Sequence, residues 1–182
     1  DIVLDLENIV HEMEEIVGAK AANLAVVKKD LGLQVPHGFA VTAYAFEKFL
    51  EETGLSKPVE EELSKIPLLD SVHAMRRMSD ILKGMVRKAA VPPFIADEIM
   101  KAYEALENKT RKGVRIAMRS SAVGEDTKAS FAGQYSSVLN VTKDTILEAY
   151  KTVLASKYST RTLNYMFQYG LQDRDTPMAV MG

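Results

Sequence analysis

An α/β (α+β) fold, a mixed sheet with flanking helices, follows from three features of this chain. Short alternating apolar segments, such as "GFAVT" at 38–42 and "RIAMRS" at 115–120, read as strands. Much longer segments between them carry apolar residues every three or four positions, the period of a helix. Glycine or proline marks several of their borders, at Gly18, Gly32, Pro36, Gly54, Pro92-Pro93 and Gly170. Strands separated by long helices belong to this class rather than to an all-α or all-β one. The chain has 182 residues, enough for one domain or two small lobes, and its 47% hydrophobic and 26% charged content lets it build a core.

The elements follow in order. "GAKAANLAVVKKDLGL" reads as a helix with Gly18 before it and Gly32 after it as a C-terminal stop. After Pro36 comes strand 38–42, and Thr42 can cap a helix with Phe46, Phe49 and Leu50 on one side, ending near Gly54. The middle, about 55–110, is helical. Asp70 or Ser71 can cap a segment with Val72, Met75, Met78, Ile81, Leu82, Met85 and Val86 along one stripe, which reads as core packing rather than a ligand surface. Pro92-Pro93 breaks the chain before a helix carrying Ile95, Ile99, Ala102, Tyr103 and Leu106. Strands are predicted at 114–120 and 134–141, around a loop of small residues. Thr142 or Asp144 starts one long helix running towards Gly170, and "PMAVM" at 177–181 is a final strand.

Composition removes several classes of function. Net charge is −2, so no bulk field draws the chain to nucleic acid or to an acidic membrane, and any anion site must be local. The chain has no cysteine, which excludes disulfides, thiolate metal sites and cysteine nucleophiles. His11, His37 and His73 are isolated, without a second ligand at helical spacing, so no zinc site is expected. "DIVLDLENIV" carries acids where a secretory signal carries bases, and no apolar run is long enough to span a bilayer; a cytoplasmic location is expected. The chain starts at Asp1 and stops at "MAVMG", as a piece of a longer protein would. If so, its last strand would lack a neighbour, and that open edge would favour a dimer.

Three places could hold an anion. Lys20 stands in the first turn of a helix, where a cation opposes the helix dipole by ~0.3–1 kcal/mol. A bound anion with Lys20 as counter-charge removes that conflict; a solvated lysine is the competing explanation. Arg119 lies near a strand end and offers a rigid fork that matches phosphate oxygens. An ion pair with Glu125 or Asp126 would explain it equally well. The loop 121–134 holds Gly124, Ser130 and Gly133, whose small size lets backbone N–H groups approach a phosphate, and Ser137 adds a hydroxyl on the following strand. A mobile turn is the plain alternative. The P-loop, the dinucleotide Gly-x-Gly-x-x-Gly, the Gly-x-Ser-x-Gly elbow and the protein-kinase His-Arg-Asp motif are all absent.

Two blocks, "VGAKAANLAVVKKDLGLQVPHGFAVTAYAFEKFL" and "RIAMRSSAVGEDTKASFAGQYSSVLNV", resemble the N-terminal nucleotide-binding region of the phosphoenolpyruvate synthase (pyruvate, water dikinase) and pyruvate phosphate dikinase family. Rifampicin phosphotransferases and glucan water dikinases share that architecture. The resemblance is densest at 16–50 and 115–141. It implies the N-terminal lobe of an ATP-grasp-like nucleotide-binding domain. It also implies roles. Lys20 matches the ATP-contacting lysine of the family's Gly-Gly-Lys-Gly-Ala-Asn-Leu block, Arg119 the arginine of Val-Arg-Ser-Ser, and Gly133 the glycine of the Ser-Phe-Ala-Gly-Gln lid over the phosphates. Ser137 falls where some relatives carry a nucleotide-contacting threonine. Ala19 and Ala21 replace two family glycines, and the loop between Asp126 and Ser130 is one residue shorter than the family pattern, departures that leave room for a non-catalytic nucleotide-sensing module of the same fold.

The family passes a phosphoryl group from ATP through a histidine on a swivelling domain to pyruvate in a separate barrel. None of the three histidines here has the setting of that carrier. The resemblance therefore implies a partial ATP-binding domain over 1–182. The second lobe, the Mg2+ ligands, the phosphohistidine domain and the barrel would lie outside this chain.

Overall fold

The computed structural model describes residues 1–122, 137–173 and 177–182. Gly133, together with Gly124, Glu125, Asp126 and Ser130, lies outside the described residues.

Five strands form one sheet: β1 (Val3–Asp5), β2 (Phe39–Val41), β3 (Ile116–Ala122), β4 (Ser137–Val141) and β5 (Met178–Met181). Their spatial order is β1-β2-β5-β3-β4, and all four pairings are antiparallel rather than mixed. The expected α/β (α+β) class with flanking helices stands, on its α+β side. β5 lies between β2 and β3, so the open edge expected on the last strand is absent; the edge strands are β1 and β4. β1 escaped prediction because it is only three residues long and ends on Asp5.

Seven helices complete the described fold: α1 (Glu14–Asp30), α2 (Ala43–Glu52), α3 (Ser56–Leu63), α4 (Val72–Lys88), α5 (Pro93–Lys109), α6 (Ile146–Ala155) and α7 (Thr160–Tyr169). The caps follow the sequence closely. Thr42 accepts from the Ala45 N–H and Ser71 from the Ala74 N–H, each satisfying a donor that the helix start leaves open. Gly170 closes α7 in the left-handed conformation. None of the described helices is long and apolar enough to cross a membrane.

The long helix expected after Thr142 is two helices. Residues Ser156–Tyr158 tighten into a 3₁₀ turn, and Ser159 becomes extended and caps α7 by accepting from the Thr162 N–H at 3.3 Å. The break is fixed from outside: Ser79 of α4 donates to the Tyr158 carbonyl at 2.6 Å.

The two faces of the sheet are unequal. Phe39, Val41, Ile116, Met118, Ala122, Met178 and Val180 point to one face, where α2–α7 supply Phe49, Leu82, Ile95, Ile99, Tyr103, Ile146, Tyr150 and Leu163 to the main core. The stripe read on α4 is mostly there, although Val72 and Ile81 remain exposed. On the opposite face α1 is the one α-helix among the described residues, packing Val17, Ala21, Ala22 and Ala25 against Ala40, Leu6 and Ile9, with Leu4 and Met181 at the margin.

Candidate functional site

Strand alternation puts Ala117, Arg119 and Ser121 of β3 on the α1 side of the sheet, and Met118, Ser120 and Ala122 on the main-core side. Arg119 is exposed, and its cross-strand neighbours are Ser137 on β4 and Met181 on β5. Residues directly opposite share a face with Cβ atoms about 4.5–5.5 Å apart, so the guanidinium stem and the Ser137 hydroxyl rise side by side. Two of the residues singled out from sequence are therefore one cross-strand pair. Among the described residues no carboxylate forms an ion pair with Arg119. Glu125 and Asp126, the partners weighed for it, lie outside them.

Register between β3 and β4 slips between the pairs Ile116–Val141 and Met118–Val138. Asn140 takes φ +56° in that bulge, a left-handed conformation that asparagine tolerates better than most residues. The bulge lets both Val138 and Val141 face the main core while Ser137 stays opposite Arg119.

Lys20 arrives from α1. The helix is bent at Gly18, whose φ of +79° and ψ of +166° lie in a region open to glycine alone. Helical geometry resumes at Ala19, so Gly18 serves as an N-cap without a side chain and Lys20 sits in the new first turn. That turn touches β3. A Cβ on Gly18 would lie 2.0 Å from the Ser121 carbonyl oxygen, and the Ala21 N–H donates to the Ser121 hydroxyl at 3.1 Å. Lys20, partly buried, thus belongs to a turn seated on the sheet face that Arg119 and Ser137 share. The fourth residue, Gly133, is outside the described residues. Sequence reasoning passed over Ser121. Its only signal is that it follows Arg119 by two positions, on the same face of an alternating strand.

A family model described as "Pyruvate phosphate dikinase, AMP/ATP-binding domain" matches residues 14–181, nearly the whole chain. The chain belongs to this family. Relatives of the family include a phosphoenolpyruvate synthase of Aeropyrum pernix, 33% identical over 185 residues, and one of Pseudomonas aeruginosa, 34% identical over 180. These alignments cover 99% and 96% of the chain and 22% of each relative. A rifampicin phosphotransferase of Streptomyces sviceus is also 34% identical, over 181 residues, covering 98% of the chain and 20% of the relative. The chain thus spans about a fifth of the length of the curated relatives it matches, in a domain that the family name ties to adenine nucleotides.

Charged groups elsewhere have structural work. Lys109 bonds Asp5 at 2.7 Å and reaches Glu7 at 3.4 Å, and Glu7 also pairs with Lys28 and His37, each at 3.2 Å. Burial opposes ionisation of Asp5, but the bonds from Lys109 and from the Glu7 N–H outweigh it and hold its carboxyl below the ordinary range. Lys157, almost fully buried, pairs with Asp173 at 2.9 Å and lies over the Phe46 ring. Among the described residues no three His, Cys, Asp or Glu side chains gather to hold a metal ion.

Proposed function

We propose that Lys20, Arg119 and Ser137, together with Gly133, bind the phosphates of ATP as the N-terminal lobe of an ATP-grasp-like domain. The observation that carries this reading is the Arg119–Ser137 cross-strand pair standing beside the Lys20 turn on one sheet face. A guanidinium supplies a planar fork, an ammonium a point charge and a hydroxyl a donor, which together suit a polyphosphate tail. Membership of an AMP/ATP-binding family supports the choice of nucleotide. Mg2+ would enter with the ATP, held by ligands outside this chain.

The longer protein would be a phosphoenolpyruvate synthase-like phosphotransferase, cytoplasmic, in which ATP phosphorylates pyruvate through a phosphohistidine carrier. The second ATP-grasp lobe, the carrier and the barrel would be contributed by residues beyond 1–182. The role of this lobe is to position and neutralise charge, the main protein contribution to phosphoryl transfer. The isolated chain would then bind nucleotide weakly and turn nothing over. A second reading keeps this nucleotide site and changes the acceptor, because the rifampicin phosphotransferase relative aligns as well as the synthases do.

Titrating ATP into wild-type, Lys20→Ala and Arg119→Ala proteins tests the nucleotide reading. A lost charge-assisted hydrogen bond is worth ~1.5–3 kcal/mol, so Arg119→Ala should weaken binding by at least about tenfold. Unchanged affinity in both variants would remove these residues from the site.

A further inference from the structure

We infer that Ser121 is a positioning residue for the proposed phosphate site: its hydroxyl caps the Lys20 turn from a strand one hundred residues away and sets that turn against Arg119. The inference rests on the nucleotide reading above and adds to it a residue that does not itself touch the phosphates.

Helix geometry makes the need specific. With Gly18 as N-cap, Ala19, Lys20 and Ala21 are the first three helical residues. The N–H of the third is ordinarily satisfied by the oxygen of a Ser, Thr, Asp or Asn at the N-cap itself. Gly18 has no such oxygen, and it cannot be exchanged for a residue that does, because any Cβ would meet the Ser121 carbonyl at 2.0 Å. Ser121 supplies the missing acceptor in trans, at 3.1 Å from the Ala21 nitrogen. Its side chain is fully buried, so water cannot substitute. The bare backbone at Gly18 and the hydroxyl at Ser121 are therefore two halves of one joint. One permits the close approach and the other fixes the rotation of the turn about it.

The joint leads directly to charge placement. Lys20 immediately precedes the bonded amide, and Arg119 is two residues before Ser121 on the same face of β3. Loss of the bond loosens the first turn of the helix, the turn that carries Lys20, while Arg119 and Ser137 remain fixed by the ladder of β3 with β4 and β5. Ser121 should thus act on ligand binding through Lys20 and not through Arg119.

The test uses this chain with ATP as the probe, titrated to millimolar concentration by NMR, together with amide exchange on the ligand-free protein. Ser121→Ala should weaken ATP roughly three- to tenfold, and should accelerate exchange at Ala21 without ligand. In a Lys20→Ala background the same change should have almost no further effect on affinity, whereas in an Arg119→Ala background it should keep its full effect. A role in stability alone would not produce that selectivity. The inference is overturned if Ser121→Ala leaves both ATP affinity and Ala21 exchange unchanged, or if its effect adds fully to that of Lys20→Ala. Should Ser121→Ala fail to fold, Ser121→Cys keeps the volume with a weaker acceptor; wild-type affinity and exchange in that variant would overturn the inference as well. Failure of the nucleotide reading looks different. ATP would then bind wild type, Lys20→Ala and Arg119→Ala alike, or not at all, while Ala21 exchange still responded to Ser121→Ala.

Discussion

At Gly18 the backbone angles and the 2.0 Å at which an added Cβ would meet the Ser121 carbonyl oxygen act together, so Gly18→Ala must both strain the main chain and push α1 off the sheet. Conformations of this kind cost a non-glycine residue about 1–3 kcal/mol before any overlap is counted. A loss of about 3 kcal/mol or more is expected, read from the midpoint of urea unfolding. Tyr150 presents the opposite case. Its hydroxyl is fully buried with no hydrogen-bond partner among the described residues, and burial pushes its pKa far up. An unsatisfied buried hydroxyl carries a desolvation cost of about 1–3 kcal/mol, so Tyr150→Phe should leave stability unchanged or raise it. A clear loss of stability on the same urea assay would mean that the hydroxyl has a partner. Neither behaviour can be read from the residue type. The glycine was legible as a helix start, but its contact partner lies one hundred residues away, and the tyrosine was legible only as one more apolar position on its helix.

The elements were legible where their signals are local and failed where a distant group decides. Thr42, Ser71, Gly170 and Pro92-Pro93 mark helix ends by their own chemistry, and the structure ends the helices there. The break between α6 and α7 is enforced by Ser79 from α4, so the apolar period ran on through it unnoticed. α4 ends in a similar way. Lys151 of α6, nearly buried, donates to the carbonyls of Arg87 and Ala89 at 3.1 and 3.0 Å, satisfying acceptors that the last turn leaves open. Lys151→Met keeps the packing stem but strands those acceptors, and should cost about 1–3 kcal/mol. The edge strand β1 is pinned through Asp5 and Lys109, and pH tests that clamp. Asp5 has a folded pKa below its ordinary value of 3.8. Its contribution is therefore complete above that value and is lost as pH falls through it towards the folded pKa. Asp5→Asn should flatten the fall of melting temperature below about pH 4 and change its slope little near neutrality. An unaltered acid slope would show that the ion pair makes no contribution to stability.

Over the whole molecule, the candidate site lies on the weaker of two unequal layers. The main core packs aromatic and large aliphatic side chains between the sheet and six helices, whereas α1 is held by a few residues, three of them alanines of its own. Stabilisation scales with buried apolar area at roughly 25 cal/mol per Å², so α1 contributes less per turn than α4 or α6. Local opening free energies should follow the same order. In native-state hydrogen exchange, amides of α1 beyond the Gly18 bend should exchange faster than those at the centres of α4 and α6. The proposed site bridges exactly this boundary, since Lys20 belongs to α1 and Arg119 to the sheet. A ligand that binds only the docked arrangement raises its stability by about 2.7 kcal/mol at a hundred times its Kd. ATP at that concentration should therefore slow α1 exchange by up to about a hundredfold, and slow the centres of α4 and α6 far less wherever these already open only by global unfolding. Equal slowing throughout, or none in α1, would place the nucleotide somewhere other than between α1 and β3. Protection confined to α1 and the β3–β4 pair would tie the affinity of the site to how firmly one lightly packed helix is seated on the sheet.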